Sequence, residues 1–229
     1  MIEFTKDYFP LYSIGALVGI GITIIAMAGS VAIGLVVALG RLSENRTIRA
    51  LGSAYVAFFR GIPPLVLLYV VYFGLPGWAN ELGIRVVADF LAPLNNRIVA
   101  AVIAFAFNSG AYSTEIIRAS IVAIPVEQME AARSLGMSYG LAMRRIILPQ
   151  AVRVAFPPLG NEFITVLKGT SLASVIGVTE LMRDAQLAAS ATFRNLMAYA
   201  LAGVFYVIMV VILQNLVGTI ERRFTLVHK

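Results

Sequence analysis

Two long stretches without any charged residue constrain the fold of this sequence more than any other feature. The first runs for 33 residues from Tyr8 to Gly40, and the second runs for 26 residues from Asn195 to Ile220. A helix that crosses a bilayer needs about 20 mostly apolar residues, so each stretch predicts a transmembrane helix. The first is not typical of a cleavable signal peptide, because its start is acidic and its apolar run is too long.

Composition supports a membrane protein and excludes several kinds of chemistry. Of the 229 residues, 59% are hydrophobic and 13% are charged, which is about half the charged share of a soluble domain. There is no cysteine, and the single histidine, His228, is next to last. Disulfides, cysteine nucleophiles, histidine metal clusters and a Ser/His/Asp triad are therefore excluded, and we expect neither a metal site nor an enzyme. The net charge of +6 comes from residues scattered between apolar stretches, so nucleic acid is not a predicted partner.

The apolar segments divide the chain into an all-α integral membrane domain with five transmembrane helices. The predicted spans cover about residues 12–40, 51–78, 98–118, 150–172 and 195–220. Residues 80–97 are predicted to form a loop, and Trp78 belongs to an aromatic belt at the end of the second span. Residues 119–149 carry charges at helical spacing and predict a water-exposed amphipathic stretch, called here the coupling segment. Gly15 and Gly19 are spaced so that another helix can approach the first span closely.

The distribution of basic residues predicts the orientation in the membrane. Five spans place the two termini on opposite sides. The turn after the first span, the coupling segment and the tail, together with Arg118 and Arg153 at the adjoining span ends, hold 11 basic residues, whereas the segments on the other side hold 5. Because basic residues concentrate on the cytoplasmic side, we expect an external amino terminus and a cytoplasmic carboxyl terminus.

The second span contains an arginine beside a predicted break in the helix. Arg60 lies near the middle of the span, and insertion scales put the cost of an arginine there at about 2.5–3.5 kcal/mol. Gly61 and Pro63 interrupt the helix, so that a new half-helix begins with a partial positive charge at its amino terminus. Arg60, Gly61 and Pro63 are therefore candidates for holding the carboxylate of a substrate.

The fourth span contains an acidic counterpart. Glu162 lies at a similar depth, beside Asn161 and a break predicted at residues 157–158, and these two side chains are candidates for holding a cationic group of a substrate. A structural ion pair between Arg60 and Glu162 explains the same residues and stays open. Glu115, near the end of the third span, is as compatible with an ion pair to Arg118 or Lys168 as with substrate contact.

The coupling segment contains the strongest motif of the sequence. Glu130-Ala131-Ala132, Gly136 and the run from Ile146 to Pro149 fit the spacing EAA-x3-G-x9-I-x-L-P. This resembles the EAA loop of the membrane subunits of ATP-binding-cassette importers. The resemblance implies a short helix that docks on a cytoplasmic ATPase through Glu130, Ala131, Ala132, Arg133 and Gly136. Small alanines permit close contact, Glu130 and Arg133 can pair, and glycine permits a sharp turn. A helix lying on the membrane surface is the alternative.

Further motifs narrow the resemblance to the permeases of polar amino acid importers, the group that carries histidine, glutamine, glutamate, arginine and opines. They are Phe59-Arg60-Gly61-Ile62-Pro63, Gly110-Ala111-Tyr112, Leu148-Pro149-Gln150-Ala151, Pro158-Leu159-Gly160-Asn161-Glu162-Phe163 and Lys168-Gly169-Thr170-Ser171-Leu172. Together they extend over nearly the whole chain. The implied fold is that of a type I importer permease, with the chain as one domain.

The resemblance also implies partners and a location. These are an identical or homologous second permease, two ATPase subunits, an external solute-binding protein, an amino acid substrate and the lipid of the bacterial inner membrane. The sequence has no Walker motif, so ATP and magnesium are expected on the ATPase, with no cofactor on this chain. A stand-alone ion-coupled transporter is the alternative, based on Pro-Pro-Leu at residues 63–65 and 157–159, but it leaves the EAA loop unexplained.

Overall fold

The computed structural model describes the backbone of residues 2–225 and the side chains of residues 4–222, and over that range it consists of helices and turns. The α-helices are α1 (Ile2–Arg41), α2 (Arg46–Gly61), α3 (Pro64–Tyr69), α4 (Leu75–Leu82), α5 (Arg85–Leu91), α6 (Arg97–Val122), α7 (Val126–Ser134), α8 (Tyr139–Ala142), α9 (Leu148–Gly169), α10 (Leu181–Thr192) and α11 (Asn195–Thr225). Two π turns join α3 to α4 and α8 to α9, and two 3-10 turns precede α6 and α10.

Up to five segments of the described chain have the length and composition of membrane spans, if each sharply bent helix pair is taken as one span. Three are continuous helices, Phe4–Arg41, Pro64–Leu82 and Asn195–Arg222, and two are pairs of helices that bend sharply at a short break. The pair that ends in α6 bends by 95°, and the pair that begins at Tyr139 bends by 49°. The all-helical architecture, with up to five candidate spans, agrees with the sequence prediction. The second candidate span differs from the predicted one, because it begins at Pro64 and leaves Arg60 in the helix before it.

The helices α1 and α6 form the centre of the bundle, and small residues let their backbones approach closely. A methyl group added at Gly34 would lie 2.8 Å from the Cβ of Ser113, and one added at Gly29 would lie 3.1 Å from the Cβ of Ala106. The hydroxyl groups of Ser30 and Ser113 are hydrogen-bonded at 2.7 Å. Without a hydrophobic force between helices in lipid, such close packing and interhelical hydrogen bonds hold a bundle together.

The break predicted in the second span is present. Helix α2 ends at Gly61, Ile62 and Pro63 are extended with ψ angles of 130° and 136°, and Pro64 begins α3. Proline fixes its own backbone and disfavours the helical conformation of the residue before it, which explains the position of the break. The helix before the break starts upstream of the predicted span, because the side chain of Asn45 accepts a hydrogen bond from the backbone of Thr47 at 2.9 Å and caps it.

Two predictions about local structure are wrong. Residues 157–158 do not break the fourth span, since α9 runs through both prolines; neighbouring helices can compensate the freed backbone groups of such prolines in a membrane bundle. Residues 80–97 do not form a plain loop, because Gly83, with a φ angle of +63°, reverses the chain into α5. The fourth span also begins earlier than residue 150, because Ser138 caps α8 and a π turn continues that helix into α9.

At the end of the bundle opposite α7, α10 packs against the beginnings of α1 and α11. The hydroxyl group of Tyr12 donates to the carbonyl oxygen of Ala198 at 3.1 Å. Gly15 lies directly against α10, where an added methyl group would lie 2.8 Å from the backbone nitrogen of Leu181. The close approach predicted from the glycine spacing therefore occurs at this position. Asp184 of α10 is fully buried, and neither carboxylate oxygen has a hydrogen-bond partner among the described residues.

Candidate functional site

The middle of α6 connects α2 and α9, the two helices that carry the charges predicted to lie inside the membrane. The side-chain amide of Asn108 donates to the carbonyl oxygen of Phe59 at 2.7 Å, which fixes α2 immediately before Arg60. The hydroxyl group of Ser109 donates to a carboxylate oxygen of Glu162 at 2.8 Å, which fixes α9. Since Ser109 is the thirteenth of the 26 residues of α6, both charges lie at the level of its midpoint.

Arg60 is exposed, and its guanidinium carbon lies 5.0 Å from the centre of the Tyr112 ring. This distance is within the range of a cation–π contact. Tyr112 follows Asn108 by one helical turn, so both side chains lie on the face of α6 that meets the end of α2. No carboxylate among the described side chains lies within 4 Å of the guanidinium group. The two ion pairs among these side chains are those of Glu115 with Arg41 and with Arg118.

Glu162 is half-buried, and no cation among the described side chains lies within ion-pair distance of it. Its bond from Ser109 continues into α1, because the hydroxyl group of Ser30 donates to that of Ser109 at 3.0 Å. Arg60 and Glu162 are thus brought to one level, where they interact electrostatically but form no ion pair within 4 Å. The side chain of Asn161 is exposed on the neighbouring face of α9, so this predicted partner does not join Glu162.

The backbone around the break offers space and few hydrogen-bond donors. No atom lies within 4 Å of the position that a Cβ of Gly61 would occupy, so a ligand has access to the backbone there. Pro63 and Pro64 have no N–H group, and the first N–H groups at the start of the new helix without a helical acceptor belong to Leu65 and Val66. Arg60 is therefore the main positive group at the break.

Asn108 and Ser109 are not predicted from the sequence, and Tyr112 is predicted only as part of the motif Gly110-Ala111-Tyr112. All three lie in an apolar span, where a polar side chain often forms a hydrogen bond to another helix. That signal identifies them as helix contacts, but it does not say which helix they contact.

The end of α6 nearer to α7 carries a second group of charges. Glu115 accepts hydrogen bonds from Arg41 of α1 and, at 3.0 Å, from Arg118 of α6. Of the alternatives left open for Glu115, the structure thus supports the ion pair, with Arg118 as predicted and with Arg41 in addition. Lys168 is exposed in the last turn of α9 and takes no part in this group.

In the coupling segment, Gly136 makes the turn that the motif predicts. Helix α7 ends at Ser134, and Gly136 follows with a φ angle of +82°. The N–H group of Gly136 donates to the carbonyl oxygen of Arg133 at 2.9 Å, and that of Met137 donates to the carbonyl oxygen of Ala132 at 3.1 Å. This pair of bonds defines a Schellman motif, in which glycine is favoured at the left-handed position.

The two alanines of the motif face opposite ways. Ala132 is only 2% exposed and is buried within the chain itself, whereas Ala131 is exposed. Glu130 and Arg133 are also exposed and do not lie within ion-pair distance of each other. Leu135 is 84% exposed, so the free surface of this segment is apolar as well as charged.

Comparison with known proteins agrees with this architecture. Residues 30–226 match the family described as the binding-protein-dependent transport system inner membrane component. The chain is 36% identical to the probable glutamine ABC transporter permease protein GlnM of Bacillus subtilis (strain 168), over 95% of this chain and 94% of that protein. It is 38% identical to the L-cystine transport system permease protein TcyB of the same organism, over 95% and 88% of the two chains. A crystal structure of an amino acid ABC transporter with histidines superposes with a TM-score of 0.83 at 37% identity, covering 96% of both chains.

The fold and the EAA motif define the class of protein as a membrane-spanning subunit of an ATP-binding-cassette importer. The chain belongs to the family of binding-protein-dependent transport system inner membrane components. It is accordingly a multi-pass inner membrane permease that catalyses no reaction itself and associates with a binding protein and with an ATPase on a separate chain. The alternative function, that of a stand-alone ion-coupled transporter, is therefore not favoured.

Proposed function

We propose that this permease imports polar or charged amino acids and that Arg60 and Glu162 hold the two ends of the substrate. The observation that carries the proposal is the placement of two opposite charges on either side of the midpoint of α6 with no ion pair within 4 Å between them. An amino acid presents a carboxylate and an ammonium group, and ionisable residues inside a membrane mark a substrate path. The relatives named for glutamine and cystine support this class of substrate.

Each side of the site has a distinct role in the proposal. Arg60 binds the carboxylate of the substrate, and the cation–π contact with Tyr112 holds the guanidinium group toward the break. Gly61 and Pro63 keep the backbone open on that side. Glu162 binds the ammonium group or a cationic side chain, and Ser109 orients its carboxylate. Asn161, the exposed neighbour of Glu162 on α9, contacts the substrate at the edge of the site.

The assembly is proposed to contain two copies of this chain or of a homologous permease, two ATPase subunits and one solute-binding protein. The amino terminus of the permease is proposed to lie outside and its carboxyl terminus in the cytoplasm. This is supported by the 11 basic residues in or beside the segments of one side, against 5 on the other. ATP and magnesium bind to the ATPase. The coupling segment contacts the ATPase through Glu130, Ala131, Arg133 and the turn at Gly136, while Ala132 holds this segment to the permease.

Uptake into proteoliposomes that contain the whole complex tests the proposal. We expect ATP-dependent accumulation of a radiolabelled amino acid delivered by the binding protein, and loss of this uptake in Arg60→Met and in Glu162→Gln. Matched controls remove exposed charges outside the site, with Arg46→Met at the start of α2 and Glu44→Gln in the preceding turn. Unchanged uptake in both site variants would show that these residues do not hold the substrate.

A further inference from the structure

The segment from Leu75 to Leu91, called here the α4–α5 hairpin, exposes large apolar side chains at the end of the bundle opposite α7. Phe90 is 80% exposed, Val86 is 78% exposed and Trp78 is 54% exposed. Leaving such a cluster in water is unfavourable, and exposed apolar patches mark sites of interaction with a partner or a membrane.

The orientation of α5 places this cluster at a membrane boundary. The segment Arg85–Asn95 is bent by 95° from α6. Because α6 crosses the membrane, α5 runs nearly parallel to the membrane plane. The preceding span, Pro64–Leu82, ends just before α5 begins, so the hairpin lies where that span leaves the hydrocarbon. Exposed side chains of the span, including Phe73 at 55%, continue toward Trp78 on the hairpin.

The side chains of α5 are arranged for a position between lipid and water. Arg85 and Asp89 are four residues apart and form one row on the helix, and Val86 and Phe90 form the next row. All four side chains are exposed. A helix at a membrane interface buries its apolar row among the acyl chains and keeps its charged row at the headgroups. Tryptophan, such as Trp78, is enriched at the same depth.

A groove of about 460 Å³ separates α4 from α5. It is lined only by apolar side chains, namely Leu75, Trp78, Val86, Val87, Phe90 and Leu91. No nitrogen or oxygen atom is exposed in the groove, so it offers no hydrogen bond to a polar ligand. An acyl chain needs none.

We propose that the α4–α5 hairpin is an interfacial anchor and that its groove binds an acyl chain of a phospholipid from the leaflet opposite the coupling segment. Continuity with the lipid-facing surface of the preceding span favours lipid over a protein partner, because a protein docking from the water would have to displace that lipid. Docking of the solute-binding protein on this hairpin is the other outcome that the test distinguishes. The inference does not depend on which substrate the permease carries.

Trp78 allows a direct test, because it is the only tryptophan of the chain. The full permease chain is reconstituted into vesicles of phosphatidylcholine and phosphatidylglycerol whose acyl chains carry bromine either close to the headgroup or at the chain end. We expect Trp78 to lose most of its fluorescence with the shallow bromine, less with the deep bromine, and little with aqueous iodide. Quenching by iodide with no effect of either brominated lipid would overturn the proposal.

A second measurement addresses α5 itself and uses two neighbouring residues as a matched pair. In this cysteine-free chain, nitroxide labels are attached in Phe90→Cys and, separately, in Asp89→Cys. We expect oxygen, which concentrates in lipid, to relax the label at position 90 more strongly than a water-soluble nickel chelate does, and the opposite order at position 89. If both labels respond mainly to nickel, or if the binding protein shields position 90 from nickel, the hairpin faces water and the lipid site does not exist.

Discussion

A double-mutant cycle on Arg60 and Glu162 distinguishes a substrate site from a structural ion pair. If the two residues neutralised each other inside the membrane, removing one partner would leave a buried charge and cost about 3–5 kcal/mol. The structure shows no ion pair between them within 4 Å. In Glu162→Gln the amide oxygen can still accept the hydrogen bond from Ser109, so the expected loss is about 1 kcal/mol, the difference between a charged and a neutral acceptor. In Arg60→Met the lost contact with Tyr112 is worth about 0.5–1 kcal/mol.

The assay measures the thermal unfolding of the detergent-solubilised complex together with amino acid uptake in proteoliposomes. We expect each single variant to lose uptake while its unfolding temperature changes little. Because the two charges are beyond ion-pair distance and interact only electrostatically, we also expect the stability losses to add to within about 0.5 kcal/mol in the double variant Arg60→Met with Glu162→Gln. A large loss of stability in each single variant that disappears in the double variant would refute this reasoning and establish a structural ion pair.

Three further predictions concern packing, coupling and topology. Gly15→Ala should lower the unfolding free energy by about 1–3 kcal/mol, because its methyl group meets the backbone of α10, whereas Gly21→Ala, with no atom within 4 Å of its added methyl group, should not lower the unfolding temperature of the complex. Leu135→Asp, at an 84% exposed position, should weaken co-purification of the ATPase without lowering the permease unfolding temperature, and full co-purification would contradict the docking surface. Single cysteines at Ser138 and Asn80 should react with impermeant thiol reagents from opposite sides of the membrane, and labelling of both from one side would contradict the five-span topology.

The sequence predicts those parts of the fold that lipid requires. The charge-free stretches give α1 and α11 because a backbone in hydrocarbon must satisfy its own hydrogen bonds, and a helix does so within one segment. Helix α5 is not predicted, because a seven-residue segment that contains Arg85 and Asp89 has the composition of a loop and becomes helical by packing on α4. The break predicted at Pro63 is present, whereas the break predicted at residues 157–158 is not. A proline in the sequence cannot show whether neighbouring helices hold the chain straight.

The candidate site was predictable only in its charged members. Arg60 and Glu162 are conspicuous because ionisable residues are costly inside an apolar span. Asn108 and Ser109 are small polar residues of a kind common in membrane helices, and only the packed bundle shows that they contact α2 and α9. The motif likewise identifies the coupling segment but cannot show that Ala132 faces the chain itself.

The contacts of α6 indicate which parts of the bundle can move during transport. Its packing against α1 depends on close contacts such as that of Gly34 with Ser113. We therefore expect α1 and α6 to move together as one frame over the length of α6, about 39 Å. At the level of the site, α2 is attached to α6 by two side-chain hydrogen bonds, from Asn108 and from Tyr55. Helix α9 is attached there by one, from Ser109, and such a bond is worth only about 0.5–3 kcal/mol. We therefore expect ATP binding to change distances between spin labels on α6 and α9 while those between α1 and α6 stay constant. A change between α1 and α6 would show that the frame itself rearranges.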